Sequence, residues 1–152
     1  MPILVPVPSE CVHQAARRYQ VPIAVVYAIL KVEDGRPGYG LKNRNGTIDW
    51  GPMQINSRWF EARTSPVQKQ FPDLDPEDIK TDPCINVEVG VWILRKALNR
   101  DHSLWRAVGH YHSYRDREAR RYRNTVHRWY VKIRRYWAAR YGAHRDRDYA
   151  QR

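Results

Sequence analysis

The chain has 152 residues, 42% of them apolar and 12% aromatic; that length and composition suit one domain with a real core and exclude a disordered chain. No apolar run approaches the roughly 20 residues that a membrane span needs. The formal charge of +11 is held unevenly, with 10 Lys/Arg against 11 Asp/Glu over residues 1–92 and 17 against 5 over residues 93–152, so the C-terminal part carries an electrostatic footprint for a polyanion such as cell wall, membrane surface or nucleic acid.

Met1 to Pro8 is apolar but short, broken by Pro2, Pro6 and Pro8, and lacks a basic n-region. It reads as an N-terminal tail and not as an intact signal peptide, so either the chain is not exported by that route or it begins near its mature end. Ser9 after Pro8 predicts a capped helix of about residues 10–20. Pro22 suits the first turn of a second helix, in which Ile23, Val26, Tyr27 and Leu30 recur at helical spacing and Gly35 supplies the stop. Asn45-Gly46 between Arg44 and Thr47-Ile48 predicts a hairpin turn. Pro66, Pro72 and Pro76 make residues 64–80 loop-rich, and Asp82-Pro83 is a cap followed by a first-turn proline. Val87, Val91, Leu94 and Leu98 mark a helix of about 83–98, and Ser103 caps another with Leu104, Val108 and Tyr111 on one face. From about 117 a last helix places Tyr122, Val126, Tyr130, Ile133 and Trp137 on a core stripe and arginines on the other face. The expected organisation is one domain over 9–142, including this basic helix, with a frayed tail over 143–152.

The stretch from Val32 to Phe60 carries the chemistry. Glu33 ends a strongly apolar helix, a setting that desolvates a carboxyl, raises its pKa and makes it a proton donor near neutral pH. Asp49 follows sixteen residues later beside a turn; it is either a second functional acid or an ordinary turn aspartate. Gln54 and Asn56 carry amides that suit the acetamido and hydroxyl groups of a sugar, and for Asn56 a purely loop-tying role weighs equally. Acids at a helix end and a turn, with amides and aromatics nearby, suit a cleft that grips and breaks a glycosidic bond. Cys11 and Cys84 are far apart in sequence, and their number alone leaves a disulfide and two buried thiols equally open.

The order Glu33, then Asn45-Gly46-Thr47-Ile48-Asp49-Trp50-Gly51-Pro52-Met53-Gln54-Ile55-Asn56, then Asp82-Pro83-Cys84-Ile85-Asn86-Val87, then Trp105-Arg106-Ala107-Val108-Gly109-His110-Tyr111-His112-Ser113 resembles the soluble lytic transglycosylases. The resemblance runs in order over about residues 10–130 and is nearest the small stand-alone type that accompanies secretion, conjugation and pilus machineries. It implies an α+β, mostly α-helical, lysozyme-like fold with a small β-hairpin element by the cleft. It implies action on peptidoglycan, cleaving the MurNAc-GlcNAc β-1,4 bond to leave 1,6-anhydro-MurNAc ends, with Glu33 as acid/base, no cofactor and no metal. It implies that Cys11 and Cys84 pair in the periplasm. Tyr111 maps onto the family's active-site tyrosine, and Tyr122 onto a second cleft aromatic or a core position. With Gly51, Met53, Gln54, Asn56 and His112 they form the expected substrate-binding set. Two departures stand out: Asp34 follows the glutamate where the family usually has Ser, and Tyr111-His112-Ser113-Tyr114 replaces Tyr-Asn-Ala-Gly, which leaves the role of His112 open.

A shorter stretch, Asn43 to Phe60, is similar to animal-type lysozymes, in which an aspartate matching Asp49 is the second catalytic carboxylate. That alternative is a hydrolase using Glu33 and Asp49, although the eight-cysteine framework of those enzymes is absent. Other classes fit less well. Tyr122, Trp129, Tyr130, Tyr136, Trp137 and Tyr141 among arginines suggest a nucleic-acid surface, but Tyr122, Tyr130 and Trp137 sit at core spacing and the arginines form a solvated face. A non-catalytic wall-binding accessory would not need Glu33. His110-x-His112 lacks the partners of a metal site.

Overall fold

The computed structural model describes residues 3–142; the expected frayed tail, 143–152, lies outside the described residues. Seven α-helices, a short 3-10 turn at Ser57–Trp59 and a three-stranded sheet are present among them: α1 (Ser9–Arg18), α2 (Ile23–Glu33), β1 (Gly40–Lys42), β2 (Ile48–Trp50), β3 (Ile55–Asn56), α3 (Pro66–Gln70), α4 (Pro76–Thr81), α5 (Pro83–Asp101), α6 (Leu104–His112) and α7 (Asp116–Tyr141). This is the expected mostly helical α+β architecture. Residues 3–8 contain no helix or strand, yet Val7 is buried and Ile3 and Val5 pack on the core.

Helix α2 is the centre of the molecule. Every residue from Ile23 to Leu30 is buried, as expected of a helix that is apolar all round, and it packs against α1 and α7. Pro22 stands just before it, its carbonyl accepting from the Val25 and Val26 amides. Pro8 does the same for α1, so Ser9 is the first helical residue and not the expected cap. Helix α2 ends at Glu33 as expected, but the stop is made by Asp34 and not by Gly35. Asp34, at φ 50, takes the left-handed position, and its N–H donates to the Leu30 carbonyl. Gly35 serves close packing instead: a Cβ there would meet the Gly51 carbonyl oxygen at 2.0 Å and Gln54 Nε2 at 2.6 Å. The end of α2 is thereby seated against the turn between β2 and β3.

The expected hairpin gains a third strand. The order is β1-β2-β3, all antiparallel, with Leu41 opposite Asp49 and Asp49 opposite Asn56. Cross-strand partners share a face, so Leu41, Asp49 and Asn56 point the same way. The proline-rich stretch expected as loop instead forms α3 and α4, because Ser65 and Asp75 cap them with a proline at the first turn. Asp82 caps α5 as expected, accepting from the Cys84 and Ile85 amides, and Ser103 caps α6. Cys11 of α1 and Cys84 of α5 form a disulfide with Cα atoms 5.3 Å apart. The long α7 buries Tyr122, Val126 and Ile133, and Trp137 meets Tyr27 of α2 edge-on at 5.6 Å.

Candidate active site

Glu33 ends α2 at the rim of the core. Its Oε1 accepts a hydrogen bond from the Tyr122 hydroxyl at 2.7 Å, which joins α2 to α7. Desolvation pushes the carboxyl up to about 7; the Tyr122 hydrogen bond opposes that rise and the negative charge of Asp49 adds to it. The side chain is mostly enclosed by protein but still opens onto a cavity of about 1150 Å³. A drug-sized pocket is usually no larger than about 1000 Å³, so this groove suits a polymer strand. Half protonated near neutral pH, Glu33 can give a proton and take one back.

Asp49, Gln54, Asn56, Tyr111 and His112 line the same cavity as Glu33. The Asn56 side-chain amide donates to Asp49 Oδ1, its cross-strand partner, and to Thr47 Oγ1, each at 2.9 Å. Asn56 Oδ1 also accepts from the Arg58 amide. Asn56 thus ties the sheet together and also lines the cavity. Gln54 sits at φ 52 and donates through Nε2 to the Gly51 carbonyl at 3.0 Å.

Gly51, Met53 and Tyr122 stand behind this lining. Met53 is fully buried, and its carbonyl accepts from the Tyr111 hydroxyl at 2.7 Å. Gly51 is at φ 73, and a Cβ on it would meet Asn86 Nδ2 at 2.3 Å. The hydroxyls of Tyr111 and Tyr122 are both raised well above their usual range, first by burial and then by nearby negative charge, so both stay protonated donors. The His112 ring stacks on Tyr122 with centroids 4.6 Å apart and planes 8° from parallel. Desolvation lowers its imidazole below the usual range, against the pull of Asp49 and Glu118. Asp34 is exposed and does not line the cavity.

Two contributions were not singled out from the sequence. Asn86, buried in α5, accepts from the Met53 amide at 2.8 Å through Oδ1 and donates to the Trp50 and Ile79 carbonyls, each at 2.9 Å. It fixes the Gly51–Met53 turn from behind, and a lone amide between Ile85 and Val87 was the available signal. Tyr114, with Arg100, also lines the cavity; its signal was the replacement of the family's glycine. Among the described residues no three His, Cys, Asp or Glu side chains gather as for a metal ion. His110 and His112 diverge, the first to Asp101 and the second to Tyr122. No described helix is long and apolar enough to cross a membrane.

The chain is similar to the invasion protein IagB of Salmonella typhimurium, with 33% identity over 106 residues, 69% of this chain and 62% of that protein. It thus spans about three fifths of the length of these Salmonella relatives. It is also similar to protein IpgF of Shigella sonnei, with 26% identity over 130 residues and 82% of each chain, and to a peptidoglycan-binding-like protein of Escherichia coli O157:H7, with 27% identity over 111 residues, 69% of this chain and 64% of that one. The family model described as Transglycosylase SLT domain matches residues 10–131, a span that contains Glu33, both cysteines and every residue of the lining named above, and the chain belongs to that family.

Proposed function

We propose that the protein is a peptidoglycan lytic transglycosylase that cleaves the MurNAc-GlcNAc β-1,4 bond and leaves 1,6-anhydro-MurNAc ends. The observation that carries this reading is the carboxyl of Glu33, held near pKa 7 by desolvation and hydrogen-bonded by Tyr122 at the wall of a strand-sized groove. Protonated Glu33 gives its proton to the glycosidic oxygen as the bond from that oxygen to the anomeric carbon breaks. The substrate's acetamido group stabilises the positive charge left behind. The Glu33 carboxylate then takes the proton of the sugar's 6-hydroxyl while that oxygen bonds to the anomeric carbon. The carboxyl is thereby restored, and no water is consumed.

Asp49 supports a second reading. It shares the cavity with Glu33, its charge acts on Glu33, and Asn56 holds it in place. As a nucleophile or charge stabiliser it would make the protein a hydrolase of lysozyme type. Digestion of purified peptidoglycan, with the sugar ends read by mass, separates the two: an anhydro end is lighter by one water. Anhydro ends are the expected result, and reducing ends alone would overturn it. Asp49→Asn then adjudicates, since transglycosylation through Glu33 and the acetamido group retains appreciable activity and a two-carboxylate mechanism loses nearly all of it.

We place the protein in the periplasm, where it opens the wall locally for a secretion, conjugation or pilus apparatus. The Cys11–Cys84 disulfide supports an oxidising compartment, and the relative named as an invasion protein supports the association. Fractionation of cells should recover the chain with periplasmic markers.

A further inference from the structure

A second polar cluster lines the groove, built from α5, α6 and the residues just after α6 rather than from α2 or the sheet. Asp101, its side chain only 8% exposed, lies 2.7 Å from His110 Nδ1 and 3.4 Å from Arg100 Nε. A carboxylate only accepts, so both nitrogens donate to it. The Tyr114 ring stacks on His110 with centroids 5.0 Å apart and planes 28° from parallel, and the Arg100 guanidinium sits 4.7 Å from its centre. Tyr114 is nevertheless 62% exposed. An aromatic side chain this open would ordinarily swing freely. Here His110 and Arg100 brace it, and Asp101 braces both of them. The result is a pre-oriented ring that lines the groove, with the half-exposed Arg100 guanidinium held over it. Lys96 and Arg58 extend the positive charge along the same cavity.

A rigid aromatic face offers apolar contact area at low entropic cost, and a guanidinium matches a carboxylate. The geometry points to an acidic-sugar subsite, in which Tyr114 stacks on a pyranose ring and Arg100 takes a carboxylate carried by that strand, so that the groove selects acid-bearing wall glycan over neutral amino-sugar polymer. This rests on the reading of the groove as a glycan cleft. The carboxylate is either the lactyl group of a bare muramic acid or an acid of its stem peptide.

The test is calorimetric titration of the Glu33→Gln protein, which does not consume its ligand. Three probes are used: a chitin tetrasaccharide, the amidase-stripped wall tetrasaccharide with free lactyl carboxylates, and the peptide-bearing wall tetrasaccharide. At least one acidic fragment should bind about tenfold tighter than chitin, the scale of a hydrogen bond to a charged group. Adding Arg100→Gln should bring that ratio near one, and whichever acidic probe responds identifies the carboxylate. Tyr114→Ala should weaken all three probes about fivefold, and Tyr114→Phe should restore them. The inference is overturned if neither acidic probe outbinds chitin, if Arg100→Gln weakens chitin as much as the acidic probes, or if Tyr114→Ala changes nothing. These readouts require no cleavage. A wild-type protein that leaves purified peptidoglycan intact counts against the proposed reaction, and the binding ratio is judged separately.

Discussion

Under the proposed mechanism the Glu33 carboxyl meets two opposed demands, since it holds a proton to start the reaction and releases it to finish. Desolvation raises its pKa to about 7, and the Tyr122 hydroxyl, which favours the ionised form, keeps it from rising further. Glu33→Gln keeps size and the hydrogen bond from Tyr122 but cannot transfer a proton, so wall cleavage should fall by about 10²–10⁴-fold or more, read by release of muropeptides. The same variant makes a second, thermodynamic prediction. The folded pKa lies above the usual 4.5, so the unfolded chain loses this proton first and Glu33 costs stability as pH rises from 4.5 through 7. Glu33→Gln should therefore melt higher than the wild type at pH 8, by up to about 3 kcal/mol, and the gap should close below pH 4.5. Equal melting at both pH values would contradict the desolvated carboxyl. Tyr122→Phe removes the hydrogen bond that lowers the Glu33 pKa. The fall of activity at high pH should then move to higher pH in the kcat/KM profile, a displacement that loss of packing alone would not produce.

The site's precision comes from the way elements are joined. Gly35 allows the end of α2 to touch the β2–β3 turn, and Asn86 of α5 holds that turn through hydrogen bonds to Trp50 and Met53 while a third ties it to Ile79 of α4. Gly51→Ala brings a strained positive φ and a Cβ at 2.3 Å from Asn86. It should destabilise the fold by about 2 kcal/mol or more and lower activity without touching the acids, as melting and muropeptide release would show. Removing the disulfide by paired serine substitution should cost about 4 kcal/mol, since it closes a loop of 73 residues; a melting temperature unaffected by the double change would reject that role. Much of this was legible in the chain. The apolar run Ile23–Leu30 announced the central helix, Asp82-Pro83 and Ser103 announced their caps, and the spacing from Tyr122 to Ile133 announced the buried face of α7. Local signals failed where two answers were chemically open. Asp34 is a tolerable left-handed residue, so it pre-empted Gly35. Strand β3, of two residues, exists only through pairing with β2, which no local pattern encodes. Glu33 and Asp49 were legible as acids, but Tyr122 meets Glu33 across 89 residues, and only the fold brings them together.

Taken as a whole, the molecule is electrostatically lopsided, and α7 is where the excess of positive charge is displayed. Its inner face packs on α2 and α6, while Arg117, Arg120, Arg121, Arg128, Lys132 and Arg135 are exposed on the other. Solvation of such a helix needs only a few charges. A field this strong adds attraction to polyanions, which raises local concentration and association rate without supplying chemistry. The proposed acid chemistry sits elsewhere, in a groove sealed enough to shift Glu33, so the two should respond differently to salt. Exposed charges are screened over about 10 Å at 0.1 M and about 3 Å at 1 M. Sedimentation of the Glu33→Gln protein with intact wall should therefore weaken steeply across that range, while turnover of a short soluble glycan fragment by the wild type should change much less. Replacing Arg117, Arg120, Arg128 and Arg135 together by Gln should flatten the salt dependence of wall binding and leave the pH profile of cleavage where it is. Wall binding indifferent to salt would contradict this role for α7. Selective retention of one DNA sequence over others would assign the basic helix to nucleic acid instead.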